Sequence, residues 1–306
     1  MKIRKIVIRV VLVMIGLPFA VIATIVIATF VFNRTNGTIV SAGENRDYLL
    51  YVPKSYNSSK PAPLVISLHG AAGWPAQEKN MSHWNKLADQ NGFIVVYPAG
   101  TGWPRIWRVG LGPGLNRDVQ FLSDLIDKIT STYNIDRNRI YVNGLSNGGG
   151  MTFVLSCKLA NRIAAVGLVS AAQTLPFDWC TDHHPMPMIA FHGTADPIVP
   201  FNGGLTGDRL NPVKTWFPSV LDWTEHWARR NGCESTPDKS SVASDVIRVQ
   251  YKRCSADVVL YVVEGGGHAW PGGKALPRWW VGKTSNSIDA TSLMWAFFHE
   301  HPLNRN

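Results

Sequence analysis

Hydrophobic residues recur along residues 46–299 in two alternating patterns. Short runs of five or six mostly apolar residues are typical of buried strands. These runs lie at 63–68, 93–97, 139–143, 164–169, 186–191 and 258–263, after a more clearly alternating strand at 46–53. Segments with apolar residues at helical spacing lie between or after them, around 82–91, 119–133, 148–160, 218–231 and 287–299. The alternation predicts an α/β fold with a mostly parallel central sheet and helices on both faces.

The start of the chain has a different pattern. Residues 10–32 form a nearly unbroken apolar run, about long enough to cross a bilayer as a helix, and four basic residues precede it. Basic residues on that side predict a cytoplasmic N-terminus. We interpret residues 1–34 as one transmembrane signal anchor or a removed signal peptide, favouring the uncleaved anchor, and residues 35–306 as a single exported domain.

The formal net charge of +9 does not predict a nucleic-acid-binding protein. The N-terminal segment supplies five of the positive charges, and the rest of the chain has 25 basic against 21 acidic residues. No basic run with interleaved aromatic residues occurs there. We expect no nucleic-acid partner, and membrane contact through the N-terminal helix only.

Four cysteines, Cys157, Cys180, Cys233 and Cys254, all lie in the part that we expect to be exported. An even count in an oxidising compartment favours disulfides, and the spacing fits no zinc pattern. We prefer the sequential pairing, Cys157 with Cys180 and Cys233 with Cys254, because each bond would close a local loop. Four buried free thiols are the alternative.

Residues 144–148 read Gly-Leu-Ser-Asn-Gly and stand between a predicted strand and a predicted helix. A G-x-S-x-G in that context holds its serine on a sharp, strained turn, where the hydroxyl is exposed to substrate. Such a pentad arises by chance in roughly one chain in ten of this length. Its position between strand and helix makes Ser146 a candidate nucleophile.

A serine nucleophile needs a base, and that base needs an acceptor that orients it. In the α/β-hydrolase fold an acid and then a histidine follow the serine, each beyond a strand end. Asp196 and His268 meet this requirement, after 186–191 and 258–263. The rival acids are Asp178, Asp182 and Asp208, and the rival bases are His69, His192, His183 and His184. His69 and His192 are each followed by glycine, which favours a packing or hydrogen-bonding role behind the loop.

The negative charge that develops on the substrate carbonyl oxygen requires two N–H donors. One should be the amide of Asn147, directly after the serine, and the other should come from the loop after 63–68, where we name Ala71 with Gly70 as the alternative. Tryptophans in loops at the same edge could stack on a substrate or simply pack. Trp107 and Trp270 are the candidates for the substrate cleft, and Trp279 with Trp280 could equally contact a membrane interface.

Several motifs together resemble one family, from about Asp47 to Phe298. They are Leu68-His-Gly, Asp118-Val-Gln-Phe-Leu, Gly144-Leu-Ser-Asn-Gly-Gly, His192-Gly-Thr-Ala-Asp-Pro-Ile-Val-Pro and Gly265-Gly-Gly-His-Ala-Trp-Pro-Gly-Gly273. This set is similar to the secreted polyhydroxybutyrate depolymerase-like esterases, a group related to the feruloyl and acetylxylan esterases of carbohydrate esterase family 1. The resemblance implies Ser146, Asp196 and His268 as the triad, and a disulfide that reaches Cys233. One departure is Arg117-Asp118, where the family has paired aspartates.

These observations predict an exported serine esterase of the α/β-hydrolase fold that transfers the acyl group in two steps, with no metal and no cofactor. Its partner would be a small-molecule or oligomeric ester, such as a hydroxyalkanoate oligomer or another short-chain ester. A feruloyl or acetylxylan esterase acting on plant polysaccharide is the alternative within enzymes. A non-catalytic exported binding protein on a hydrolase scaffold is the alternative from another class.

Overall fold

The computed structural model describes residues 34–182, 184–206 and 214–303. The predicted anchor at 10–32 and two of the rival residues, His183 and Asp208, lie outside these ranges. Within them, no helix has both the length and the apolar character that crossing a bilayer requires. Thr35–Asn306 groups into one compact unit by its contacts.

A ten-stranded sheet runs through the described part of the chain. Its strands are β1 Gly37–Ser41, β2 Glu44–Tyr51, β3 Ala62–Leu68, β4 Ile94–Pro98, β5 Ile135–Leu145, β6 Ala165–Val169, β7 Met188–Gly193, β10 Asp238–Ala243, β11 Val246–Gln250 and β12 Val258–Val263. Two more strands, β8 Gly204–Thr206 and β9 Thr215–Phe217, pair with each other apart from this sheet.

The spatial order of the large sheet is β1-β2-β4-β3-β5-β6-β7-β12-β11-β10. All neighbours from β4 to β12 pair in parallel, and the two outer strands on each side pair antiparallel. The prediction of a mostly parallel sheet is therefore confirmed. Parallel strands bring their carboxyl ends to one edge, which is where ligands bind in sheets of this kind.

Helices cover both faces of the sheet, as the apolar pattern predicted. They are α1 Pro75–Ser82, α2 Trp84–Asn91, α3 Pro113–Thr132, α4 Asn147–Lys158, α5 Val220–Arg230, α6 Arg278–Val281 and α7 Ala290–Glu300. Successive residues of a strand point to opposite faces. Leu64 and Ile66 accordingly pack in the core beneath α3, α4 and α5, whereas Val65 packs in the other core with residues of α2 and α7.

Several elements differ from the sequence prediction, and three of them show why. The helix predicted around 82–91 is α2, and α1 before it was not predicted; His83, with a left-handed φ of 58°, separates the two helices. The helix predicted at 119–133 starts earlier, at Pro113. Proline is favoured in the first turn of a helix, and the prediction followed the apolar pattern and not this signal. The strand β10 was not predicted because its side chains are almost all exposed and show no apolar alternation.

Two disulfide bonds join Cys157 to Cys180 and Cys233 to Cys254. The sequential pairing is confirmed, and the alternative of four free thiols is wrong. The first bond ties the C-terminal end of α4 to a segment beyond β6, and the second closes the loop between α5 and β12. Paired cysteines are typical of proteins that fold outside the cytoplasm, which agrees with the predicted export.

Candidate active site

Ser146 occupies the turn between β5 and α4 with φ 55° and ψ −119°, a strained conformation for a residue with a Cβ. Its backbone is held on both sides: its N–H donates to the Val169 carbonyl at 2.9 Å, and its carbonyl accepts from Gly150 at 3.0 Å and from Ala172 at 2.9 Å. A Cβ at Gly148 would lie 2.2 Å from the Leu68 carbonyl oxygen. The glycines of the pentad are therefore required by close backbone approach.

His268 and Asp196 meet at the same edge of the sheet. The His268 Nδ1 lies 2.8 Å from the Asp196 Oδ2, and both side chains are buried. The backbone N–H groups of Ile198 and Val199 both donate to the other carboxylate oxygen at 2.8 Å. An ionised carboxylate accepts the Nδ1 proton, which leaves His268 Nε2 as the acceptor of the ring.

The electrostatics of this pair favour a charged Asp196. Burial by itself raises the pKa of this carboxyl group, but His268 and His192, together with the hydrogen bonds from His268 and Val199, outweigh it and lower the pKa below its usual value. Asp196 thus stays ionised where it can stabilise an imidazolium at His268. That is the task of the acid in a serine hydrolase triad.

Among the described residues, no hydrogen bond joins the Ser146 hydroxyl to His268. Their strands are close in the sheet, since β5 and β12 are separated by β6 and β7 alone. Catalytic hydrogen bonds without substrate are often long and shorten only in the complex. The structure therefore brings acid and base into contact and places the serine at the same edge of the sheet.

The loop after β3 lies directly against Ser146. A Cβ at Gly70 would be 3.4 Å from the Ser146 Cβ. Two amides of this loop are used internally, because Ala72 donates to the Arg105 carbonyl at 2.8 Å and Gly73 to the Gly70 carbonyl at 3.0 Å. Across the described chain, no hydrogen bond takes the amides of Gly70, Ala71 or Asn147, so the predicted pair of donors and its alternative are all available.

The two histidines that compete with His268 have structural roles, as the glycine after each indicated. The Gly100 N–H donates to His69 Nε2 at 2.9 Å, so Nδ1 carries the proton that Gly70 accepts at 2.7 Å. Burial lowers the pKa of His69 to about 4. Burial also lowers the pKa of His192, whose Nε2 lies 2.9 Å from the Val199 carbonyl oxygen.

The two tryptophans predicted to line the cleft are packed inside the protein. Trp107 and Trp270 are each 1% exposed. Trp107 Nε1 donates to the His69 carbonyl at 3.0 Å, and Trp270 Nε1 donates to the Thr291 hydroxyl at 2.8 Å. Burial this complete leaves neither indole face open to a ligand, so their assignment to the substrate cleft is wrong. Both tryptophans pack inside the protein, which is the alternative role that the sequence left open.

Sequence reasoning missed the contact that holds Trp107 there. The side chain of Asn147 accepts from the Trp107 N–H at 2.7 Å and donates to the Trp107 carbonyl at 3.1 Å. Asn147 therefore has two parts with different tasks. Its side chain fixes the 100–109 loop, and its backbone amide has no hydrogen-bond partner among the described residues. The contact spans 40 residues of sequence, and no local pattern announces it.

Asp118, the aspartate that the Arg117-Asp118 pair retains, is held inside the protein by polar partners. Its carboxylate is fully buried, pairs with the Arg46 guanidinium at 2.8 Å and accepts from the Arg108 N–H at 2.8 Å. Arg46 also donates to the Ala99 carbonyl at 3.3 Å. Asp118 therefore braces both ends of the 100–109 loop from behind.

A buried glutamate contacts β3 close to the carboxyl end of that strand. Glu78 on α1 accepts from the Ser67 hydroxyl at 3.0 Å, and that hydroxyl lies 2.8 Å from the Asn143 side-chain oxygen. Burial raises the pKa of Glu78 to about 8, against the hydrogen bond from Ser67 that lowers it. Glu78 is thus neutral at acidic pH, and nothing in the sequence around it marks it as buried.

The fold and this site define a protein of the α/β-hydrolase class, with a strained serine after β5 and a histidine–carboxylate pair beyond β7 and β12. An acetyl xylan esterase from Aspergillus awamori has the same fold, with a TM-score of 0.61 over 85% of this chain and 98% of that one, at 18% identity. At that identity the likeness concerns the fold alone.

The sequence comparisons are more specific. Residues 46–176 match the family model described as esterase PHB depolymerase. Feruloyl esterase B of Piromyces equi is 32% identical over 234 residues, which are 75% of this chain and 44% of that protein. A probable feruloyl esterase C of Aspergillus oryzae is 29% identical over 266 residues, 83% of this chain and 84% of that protein. The chain is thus similar to polyhydroxybutyrate depolymerase-like esterases and to feruloyl esterases, and it spans less than half the length of the first of these relatives.

Proposed function

We propose that the protein is a serine esterase that hydrolyses carboxylic esters through Ser146, His268 and Asp196. The observation that carries the proposal is the 2.8 Å contact between His268 Nδ1 and Asp196 Oδ2, at the sheet edge where Ser146 stands in its strained turn. A binding protein on the same scaffold would have no need for a buried carboxylate oriented on that histidine. The family relationship supports the same conclusion.

The reaction proceeds by two-step acyl transfer. His268 Nε2 takes the hydroxyl proton as Ser146 Oγ attacks the ester carbonyl carbon, and the amides of Asn147 and Ala71 donate to the oxyanion that forms. The imidazolium then gives its proton to the departing alcohol, which leaves an acyl-enzyme. Water, activated by the same imidazole, attacks this ester, and the acid is released as Ser146 regains its proton.

The substrate is a small-molecule or oligomeric ester. The family model favours a hydroxyalkanoate oligomer or another short-chain ester, whereas the relatives named feruloyl esterase favour a feruloyl or acetyl group on plant polysaccharide. Product analysis after incubation with hydroxybutyrate oligomers and with feruloylated arabinoxylan separates the two. Release of hydroxybutyrate from the first substrate alone, or of ferulate from the second alone, decides between them.

The test of the nucleophile uses a fluorophosphonate probe and short p-nitrophenyl esters. We expect the probe to label Ser146, and Ser146→Ala to abolish both labelling and ester hydrolysis while the fold is retained. Ser170→Ala is a matched control, because Ser170 also stands at a strand end with positive φ but lies outside the proposed triad. Unchanged turnover in Ser146→Ala contradicts the proposal, and absence of labelling in the wild type favours the binding protein.

We also propose that residues 1–34 anchor the exported domain, residues 35–306, to a membrane. The apolar length of 10–32 and the basic residues before it support an uncleaved anchor over a removed signal peptide. N-terminal sequencing of the protein from a carbonate-washed membrane fraction tests this. A soluble product that begins after the apolar run contradicts the anchor.

A further inference from the structure

An apolar pocket lies beside the catalytic residues, between the ends of β6 and β7 and the helix α5. It contains about 350 Å³ of space not filled by protein atoms, part of it open to solvent. Its walls are mostly carbon, from residues such as Leu168, Ala190, Val220 and Leu260. Nothing in the proposed two-step reaction uses this space.

The pocket shares walls with the catalytic site. Ala171 lines it, and a Cβ at Gly149 on the nucleophile helix would lie 2.7 Å from the Ala171 Cβ. The next residue, Ala172, donates its N–H to the Ser146 carbonyl at 2.9 Å. On the other side Val199 lines the pocket and donates its N–H to Asp196 at 2.8 Å. The pocket thus lies against the segments that hold Ser146 and Asp196 in place.

Two polar atoms of the pocket residues are buried without a partner in the described chain. They are Gln173 Oε1, an acceptor, and Trp223 Nε1, a donor. The two residues are 5% and 6% exposed. Gln173 Nε2 donates to the Leu175 carbonyl at 3.1 Å, which fixes the amide so that Oε1 is the atom left over. Buried polar atoms are nearly always paired, so an unpaired acceptor and an unpaired donor on two residues that line the same pocket point to a ligand.

A hydroxyl group is the simplest partner for this combination. It donates its proton to an acceptor such as Gln173 Oε1 and accepts from a donor such as Trp223 Nε1. A wholly hydrocarbon group would fill the pocket but leave both atoms unpaired, at a cost in free energy. The pocket therefore favours an apolar group that carries a hydroxyl.

We propose that this pocket receives the acyl group of the ester, and that Gln173 and Trp223 select acyl groups bearing a hydroxyl. The acyl group is the part that stays bonded to Ser146 in the intermediate, whereas a polymeric alcohol is too large for a pocket of this size. The inference rests on the proposed esterase function and adds its specificity residues. Aliphatic hydroxyacyl and hydroxycinnamoyl groups share the required chemistry.

Matched ester pairs that differ only in the hydroxyl test the proposal. One pair is p-nitrophenyl 3-hydroxybutyrate and p-nitrophenyl butyrate, and the other is methyl p-coumarate and methyl cinnamate. We expect the wild type to prefer the hydroxylated member of one pair by about tenfold or more in kcat/KM, since leaving buried polar groups unpaired penalises the analogue. The pair with the larger preference distinguishes aliphatic from aromatic acyl groups.

Two variants remove one polar atom each. Trp223→Phe keeps most of the ring and loses Nε1, and Gln173→Leu loses the acceptor at similar size. Each should bring the preference close to one, because kcat/KM should fall more for the hydroxylated ester than for the plain ester. Trp216→Phe is the control, because Trp216 is exposed on β9 and should keep the wild-type preference.

The outcomes separate this inference from the proposed function. Turnover of the plain esters with no hydroxyl preference in the wild type overturns the pocket assignment and leaves the esterase intact. A loss of both esters in equal proportion in Trp223→Phe and Gln173→Leu also overturns it, because a purely structural role has that effect. Failure of Ser146 to react with the fluorophosphonate probe and of every ester to turn over overturns both.

Discussion

Two buried histidines follow buried parallel strands in this protein, and only one of them is suited to act as a base. His69, after β3, gives its Nδ1 proton to a neutral carbonyl, and its Nε2 is occupied by the Gly100 N–H. His268, after β12, faces the Asp196 carboxylate through Nδ1, and its Nε2 accepts no hydrogen bond from any described residue. The difference lies in the partners of the two ring nitrogens.

The comparison teaches what a sequence motif leaves open. Burial alone makes a histidine harder to protonate, as it does at His69, whose pKa falls to about 4. A base needs an anion on one nitrogen to stabilise the charge that it acquires, and an open second nitrogen to receive the proton. His69 therefore braces the loop after β3, and His268 has the surroundings that the proposed base requires.

The largest expected effect comes from removing the anion. Asp196→Asn keeps the shape of the side chain but takes away the charge that orients and stabilises His268. We expect kcat to fall by about ten-thousand-fold, as for the corresponding change in other serine hydrolase triads. Asp178→Asn, at an exposed rival carboxylate, should keep the wild-type kcat in the same p-nitrophenyl ester assay. Equal losses in the two variants would remove the distinction between the two histidines.

The next largest effect is expected on stability. It concerns the 100–109 loop, whose Gly100 and Trp107 donate hydrogen bonds to His69. Asp118→Ala leaves the buried Arg46 guanidinium without its carboxylate, and this should lower the free energy of unfolding by about 3–5 kcal/mol. Asp238→Ala breaks an exposed pair with Lys252 and should cost about 1 kcal/mol or less. Urea denaturation of both variants measures the difference. Similar costs would mean that the 100–109 loop does not depend on the buried pair.

His69→Gln should lower the unfolding free energy at pH 7 by roughly 1–3 kcal/mol, because its buried hydrogen bonds are disturbed. In the wild type the unfolded chain binds a proton at this histidine from pH 6.5 downwards, while the folded protein resists until about pH 4. Wild-type stability should thus fall with pH across that window, and less so in the variant. Urea titrations at pH 7.5 and pH 5 measure this, and parallel losses in both proteins would contradict it.

The smallest effect at acidic pH is expected for Glu78→Gln. Because the folded pKa of about 8 exceeds the ordinary value of 4.5, the folded state holds the proton that the unfolded state releases. Wild-type stability from this group is present below pH 4.5 and is lost as the pH rises towards 8. The variant should match the wild type near pH 5 and exceed it at pH 8. A constant difference between the two pH values would show that Glu78 is already ionised.

Much of this architecture could be predicted because it depends on short-range patterns. Apolar runs located the central strands, and the order of Ser146, Asp196 and His268 beyond three of them anticipated that they reach one edge of the sheet. The glycine after His69 and His192 pointed to roles in the turns, which the hydrogen bonds of both rings agree with.

What could not be predicted depends on partners far apart in the chain. Trp107 and Trp270 sit in loops that the sequence marks as exposed, yet each is buried by contacts with residues 40 and 21 positions away. Glu78 and Gln173 have the polar character of surface residues, and only the packed structure shows that they are inside. Local periodicity carries no information on such contacts.

The disulfide between Cys157 and Cys180 has a consequence for how this protein can change. It closes a segment of the chain that begins at the end of the nucleophile helix and contains β6 and Gln173. A cross-link of this kind restricts the unfolded ensemble, and in the chain-entropy account a loop of this length gains about 3 kcal/mol of stability from it. That reserve should let residues within the closed segment be exchanged without unfolding the protein. The segment is thus a part of the chain in which substitutions can accumulate while Ser146, Asp196 and His268 outside it stay unaltered.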